Sequence, residues 1–113
     1  MPHLFEPLIT KHLNLKNRLV FPPMATAKST PDGFVTQNIL EYYQDKARGG
    51  YFGLIIAEHS YISPQGKATP CQMGIYSDEC LPGLKQLADI IKKDGSKAVV
   101  QINHAGSELL PVK

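Results

Sequence analysis

Apolar and polar positions alternate along His12-Leu-Asn-Leu15, and a second short segment, Leu8-Ile-Thr-Lys11, runs from apolar to polar just before it. The alternation is the period-two pattern of half-buried strands. The short connection between the two segments predicts a small hairpin ahead of the main fold. Three compact apolar runs follow, predicting strands over residues 18–21, 53–57 and 98–102. Pro22-Pro23 must end the first, because neither proline can donate to a ladder. The second, Leu54-Ile-Ile-Ala57, has no alternation, which predicts a strand buried on both faces, as in parallel sheets. Each run passes into polar or turn residues: Pro22-Pro-Met-Ala-Thr26, Glu58-His-Ser60, and Gln101-Ile-Asn-His-Ala-Gly106.

Between the runs the period changes to that of helices. Pro31-Asp32-Gly33 signals a turn, and Thr36 is a suitable N-cap for a helix over 37–48 with Ile39, Leu40, Tyr43 and Ala47 on one face. Gly49-Gly50 ends it. Leu84, Leu87, Ala88 and Ile91 fall at i, i+3, i+4 and i+7, predicting a second amphipathic helix that stops near Gly95. The stretch from Ser60 to Pro82, broken by Pro64, Gly66, Pro70 and Gly74, reads as a long loop, and loops of that length are usually functional. The order is a hairpin followed by β-α-β-α-β, with crossovers long enough to require parallel pairing. Parallel strands bring the residues after their C-terminal ends onto one face, where α/β folds place ligands.

Composition adds limits. The 113 residues are 42% hydrophobic and 19% charged, with a net charge of +2, as in an ordinary single globular domain. The basic residues are scattered, which gives no case for nucleic acid or an anionic membrane as partner. No apolar run approaches the ~20 residues of a membrane span, and the N-terminus lacks the pattern of a signal peptide, so a cytoplasmic location is expected. Cys71 and Cys80 form no CxxC pair and have no histidine at metal-ligand spacing. They read as reduced thiols.

Several segments come in a recognisable order: Leu4-Phe-Glu-Pro-Leu8, Leu15-Lys-Asn-Arg18, Pro22-Pro-Met24, Asp32-Gly-Phe-Val-Thr36, Tyr42-Tyr43, Arg48-Gly-Gly50 and Gly53-Leu-Ile-Ile56. Gly74-Ile-Tyr-Ser-Asp-Glu79, Pro82-Gly-Leu-Lys85 and Gln101-Ile-Asn-His-Ala-Gly106 continue the series. Together, from Leu4 to Gly106, they resemble the N-terminal part of the NADH:flavin oxidoreductases, the old yellow enzyme family. The resemblance implies a (β/α)8 TIM barrel holding FMN at the strand C-termini, with this chain supplying the bottom hairpin and barrel strands 1 to 3, an incomplete barrel. It implies FMN as cofactor, NAD(P)H as reductant and an activated, carbonyl-conjugated alkene as the small-molecule substrate.

Carried over residue by residue, the resemblance makes Pro22, Pro23, Met24 and Ala25 flavin contacts and brings His59 near the flavin. Gln101 would hold the flavin's pyrimidine edge, where a carboxamide offers a donor and an acceptor together. Thr26 and His104 fall on the substrate side. Read from the residues alone, His59 is a loop histidine, His104 a turn histidine, Met24 core filler, and Gln101 a polar group at a buried strand end. Glu58 reads as a carboxylate held by backbone or an arginine. His3 and His12 read as surface residues, and Asp78-Glu79 as charges favourable at a helix start.

The chain also departs from the family pattern. Ala25 stands where many relatives carry a hydroxyl or thiol that donates to the flavin, so that donor is missing or supplied by Thr26. Ser107-Glu108 stands where arginine usually follows His-Ala-Gly, and His59 is bulkier than usual. The resemblance further implies that the substrate-gripping histidine or histidine–asparagine pair, the tyrosine proton donor and the phosphate-binding residues follow strand 3, outside this sequence. No catalytic residue is therefore assigned. The expectation is that the 113-residue chain binds FMN weakly or not at all and lacks reductase activity alone. The alternatives are a non-enzymatic remnant that self-associates or complements another barrel fragment, and a small α/β binding module without flavin.

Overall fold

The computed structural model describes residues 3–106. The hairpin forms as expected: β1 (Leu8–Ile9) pairs antiparallel with β2 (Asn14–Leu15), with Leu8 opposite Leu15. The main sheet is parallel throughout. β4 (Leu54–Tyr61) is its centre. On one edge of β4 lie β3 (Val20–Phe21), beside Leu54 and Ile55, and β5 (Met73–Gly74), beside Ser60 and Tyr61. The other edge carries β6 (Lys97–Asn103) along its whole length.

Two helices cover one face of this sheet. Thr36 caps α1 (Gln37–Ala47) as expected, its side chain accepting from the Ile39 N–H at 3.2 Å, and so satisfying one orphan donor of the first turn. Helix α2 (Leu81–Lys92) begins three residues before its first periodic leucine, because Pro82 suits a first helical turn and a single turn at Asp78–Cys80 leads into it. Ile39, Tyr43 and Ala47 of α1 pack with Leu87 and Ile91 of α2 on Ile55 and Ala57 of β4 and Met73 of β5. Each such aliphatic side chain contributes about 1.5–3 kcal/mol by leaving water.

Three expectations need correcting. The strands are not buried on both faces. Helices cover one face only, and the other leaves Val20 exposed, Leu54 and Ile56 half-buried, and Val99 46% exposed. Gln101 shares that open side and is exposed, not buried at a strand end. The stretch from Ser60 to Pro82 is not one long loop. It holds the end of β4, the strand β5, and single turns at Pro64–Gly66 and Asp78–Cys80. The proline and glycine spacing conceals β5, a two-residue strand too short to show a period.

Candidate functional site

β4 and β6 end together at one rim of the sheet, with Tyr61 opposite Asn103, whereas β3 ends beside Ile55, so the residues after it run on along the edge of β4 toward that rim. Pro22 to Thr26 make up that run, with Pro22 and Ala25 exposed, Pro23 half-buried and Met24 51% exposed. Met24 is therefore not core filler.

The centre of the rim is a β-bulge. The β4–β6 register runs regularly to Ala57 opposite Val100, then resumes at Ser60 opposite Ile102. Glu58 and His59 occupy the extra length. A bulge re-aims side chains, and here it breaks the alternation so that Ala57 and Glu58 are both buried. Strict alternation would have put Glu58 on the open face with Leu54 and Ile56. Instead it points into the helix layer and is 1% exposed. His59 is half-buried, and Gln101 stands on β6 alongside the bulge.

Glu58 is held neither by an arginine nor by accepting from main chain alone. Its carboxylate accepts from the Thr26 hydroxyl, 2.8 Å to Oε1 and 3.1 Å to Oε2, and from the Thr26 backbone N–H at 3.2 Å. The Tyr43 hydroxyl donates to Oε1 at 3.2 Å and accepts from the Glu58 backbone N–H at 2.8 Å. Burial, then the nearby Glu58 carboxylate, raises the Tyr43 hydroxyl well above the ordinary tyrosine pKa. These bonds join the first two strand-end clusters and anchor both to α1. They also engage the Thr26 hydroxyl hydrogen, the one donor expected to replace the group missing at Ala25.

The third cluster is tied to the segment after β4. The Gln72 side chain, 1% exposed, donates to the Asn103 side chain at 3.2 Å and accepts from the Ala68 N–H at 2.6 Å. Ala105 N–H donates to the Gly66 carbonyl at 2.9 Å. The His104 ring lies over Gly66, where an added Cβ would sit 2.5 Å from Cδ2, and its Nδ1 accepts from the Gly106 N–H at 3.1 Å. His104 makes no hydrogen bond to the other candidate residues among those described. Ser107 and Glu108 lie outside the described residues.

Among the described residues Gln101 has no side-chain hydrogen-bond partner in the protein, so its donor and acceptor are both available on the open face. An aromatic-free surface of Pro22, Pro23 and Met24 stands across from it on the same rim. That combination fits a flat heteroaromatic ring with a polar edge. Tyr43 and Gln72 were not singled out by the sequence as part of this rim. Tyr43 reads as core from its period, and Gln72 has no signal in a stretch rich in turn residues. The described residues contain no metal-ligating cluster and no disulfide, Cys71 and Cys80 being free.

Comparison with known proteins accords with this geometry. The chain is 40% identical over 111 residues to the NADH oxidase of Thermoanaerobacter brockii, covering 97% of this chain and 17% of that protein. It is 45% identical over 97 residues to the NADH:fumarate oxidoreductase of Klebsiella pneumoniae (strain 342), covering 86% of this chain and 10% of that one. The fold superposes on the crystal structure of Old Yellow Enzyme from Pichia sp. AKU4542 with a TM-score of 0.85 and 32% identity, over 94% of this chain and 27% of that one. The chain thus spans less than a third of these relatives, and its hairpin and parallel sheet correspond to the first part of their (β/α)8 barrel. The sequence signature of the NADH:flavin oxidoreductase / NADH oxidase family matches residues 3–111, and the chain belongs to that family.

Proposed function

We propose that this chain supplies one wall of an FMN site in an NAD(P)H-dependent oxidoreductase that reduces activated alkenes. Family membership supports the flavin and the nicotinamide reductant. The name of the Klebsiella relative supports the substrate class, since fumarate is an alkene flanked by carboxylates. When bound, FMN would supply the hydride chemistry between NAD(P)H and the alkene carbon.

The observation that carries the proposal is the open-face Gln101 carboxamide beside the Glu58-His59 bulge, on the rim that Pro22–Ala25 approach after β3. Gln101 would orient the cofactor by offering a donor and an acceptor to its polar edge. Pro22 and Pro23 have no N–H to compete for that edge, and with Met24 they present an apolar surface that excludes water from the ring face. His59 closes the middle of the rim.

Nuclear magnetic resonance of the 113-residue chain with FMN at millimolar concentration tests this. The expected result is weak binding, with shift changes centred on Met24, Ala25, His59 and the Gln101 side-chain amide. Changes confined to the hairpin, or none at the highest concentration, would overturn it.

A second reading, association with another copy or with a complementing barrel segment, is favoured by the open sheet face. Val99 is 46% exposed there, and β6 pairs on one edge only among the described residues. Unpaired parallel strands of this kind recruit further strands. Size-exclusion chromatography over a range of concentrations tests it, and a monomer throughout would reject self-association.

A further inference from the structure

We propose that Glu58 is a positioning residue, which sets the height of the Pro22–Ala25 segment over the sheet by clamping Thr26. The inference rests on the FMN reading for what that segment contacts, but the clamp itself is a property of the chain.

The geometry leaves that segment few other supports. No side-chain hydrogen bond reaches Pro22, Pro23, Met24 or Ala25 among the described residues, and two of the four have no N–H. The first polar anchor after β3 is therefore Thr26, which is held twice by one carboxylate, through its hydroxyl and its backbone N–H. Glu58 is fixed in turn by Tyr43, whose hydroxyl both donates to the carboxylate and accepts from the Glu58 N–H. The carboxylate can reach Thr26 only because the bulge turns it away from the open face. Immediately after the clamp, Ala27 adopts φ +55°, a left-handed conformation unusual for alanine. A conformation of that kind persists where its surroundings over-determine it. Two bonds to the preceding residue and, beyond it, the Thr36 hydroxyl on the Lys28 carbonyl at 2.6 Å supply that constraint.

The clamp differs from ordinary core packing in what its loss moves. Removing the Thr26 hydroxyl leaves the hydrophobic core intact, since Thr26 is outside it, but frees the segment facing the proposed ring. The test compares Thr26→Val with Thr26→Ser and Glu58→Gln, each in the full chain. In Thr26→Val the Thr26 amide should exchange roughly tenfold faster by local opening, and the Met24 and Ala25 amide resonances should shift without any FMN. The serine variant, which keeps the hydroxyl, should restore both. Glu58→Gln should weaken the clamp in the same direction, because a carboxamide keeps one acceptor oxygen where the carboxylate uses two.

With FMN, Thr26→Val should lose roughly fivefold in affinity while the Gln101 response persists, a change of about 1 kcal/mol. If Thr26→Val lowers thermal stability but leaves the Met24 and Ala25 resonances and Thr26 exchange unchanged, the positioning role is overturned. If those apo changes appear but the wild-type chain shows no FMN response, the clamp stands and the flavin reading fails.

Discussion

Tyr61 and Tyr76 stack with ring centroids 5.1 Å apart and planes 11° from parallel, and both hydroxyls donate to the single carbonyl of Asp32, at 3.0 and 2.8 Å. One sheet residue and one residue beyond β5 thereby grip the turn that leads into α1. Because a carbonyl has two lone pairs, both bonds are satisfied, and each hydroxyl backs up the other. Tyr61→Phe or Tyr76→Phe should therefore cost only about 0.5–1 kcal/mol each. The double variant should cost more than the sum, since it alone leaves the Asp32 carbonyl without a tyrosine donor. Urea unfolding of the three variants checks this, and strict additivity would show that the hydroxyls do not share the load.

The same tyrosine predicts an alkaline limit. Burial pushes the Tyr61 pKa up to about 12, from about 10 unfolded. The folded state then holds a proton that the unfolded state releases, so stability falls as pH rises from about 10 to 12. The contribution is complete below pH 10 and lost above 12. Chemical unfolding midpoints measured across this range should fall less steeply in Tyr61→Phe than in the wild type.

Tyr43→Phe removes one oxygen that serves two bonds to Glu58, leaving a buried N–H without its acceptor and a carboxylate short of one donor. A loss of about 2–3 kcal/mol is expected, seen as a lower unfolding midpoint. Stability within about 0.5 kcal/mol of wild type would mean that water replaces the hydroxyl.

Gly33→Ala should be among the most damaging small substitutions. Gly33 has φ +84°, and an added Cβ would lie 2.5 Å from the Tyr61 hydroxyl and 2.9 Å from the Gly74 backbone nitrogen. The left-handed backbone alone costs about 1 kcal/mol for alanine, and the clash must displace a strand end as well. A total of about 2–4 kcal/mol is expected from thermal melts.

Val99→Lys places a charge on the open sheet face, opposite to the helix layer. It should change stability by less than about 0.5 kcal/mol and shift any self-association toward monomer. Multi-angle light scattering of wild type and variant side by side measures this, and an unchanged mass distribution would place the association surface elsewhere.

What was legible in the sequence followed from period and from punctuation. The hairpin, both helices, the Thr36 cap and the parallel β-α-β-α-β order each rest on local patterns of several residues, and they survive because tertiary packing agrees with them. The misreadings share a different cause. An apolar run such as Leu54–Ala57 looks the same whether one face or two are covered, because the sequence records hydrophobicity and not which neighbours are present. Gln101 reads as a buried strand end for that reason. The bulge at Glu58-His59 has no residue signature, so the Thr26 and Tyr43 side chains that hold Glu58 are not readable from the sequence. Thr26, placed on the substrate side, spends its hydroxyl on a contact that only the folded sheet creates.

The parallel ladder between β4 and β6 also has a consequence in time. Leu54 pairs with Lys97 and Tyr61 with Asn103, and contacts so far apart in sequence are slow to form because a long loop must close first. As the chain is synthesised, the central strand has only the two-residue pairings with β3 and β5 until α2 and β6 have emerged. Through that interval an apolar strand sits with one long edge bare. The nascent chain is most exposed to chaperones, and to its own neighbours, before residue 103 is clear of the ribosome.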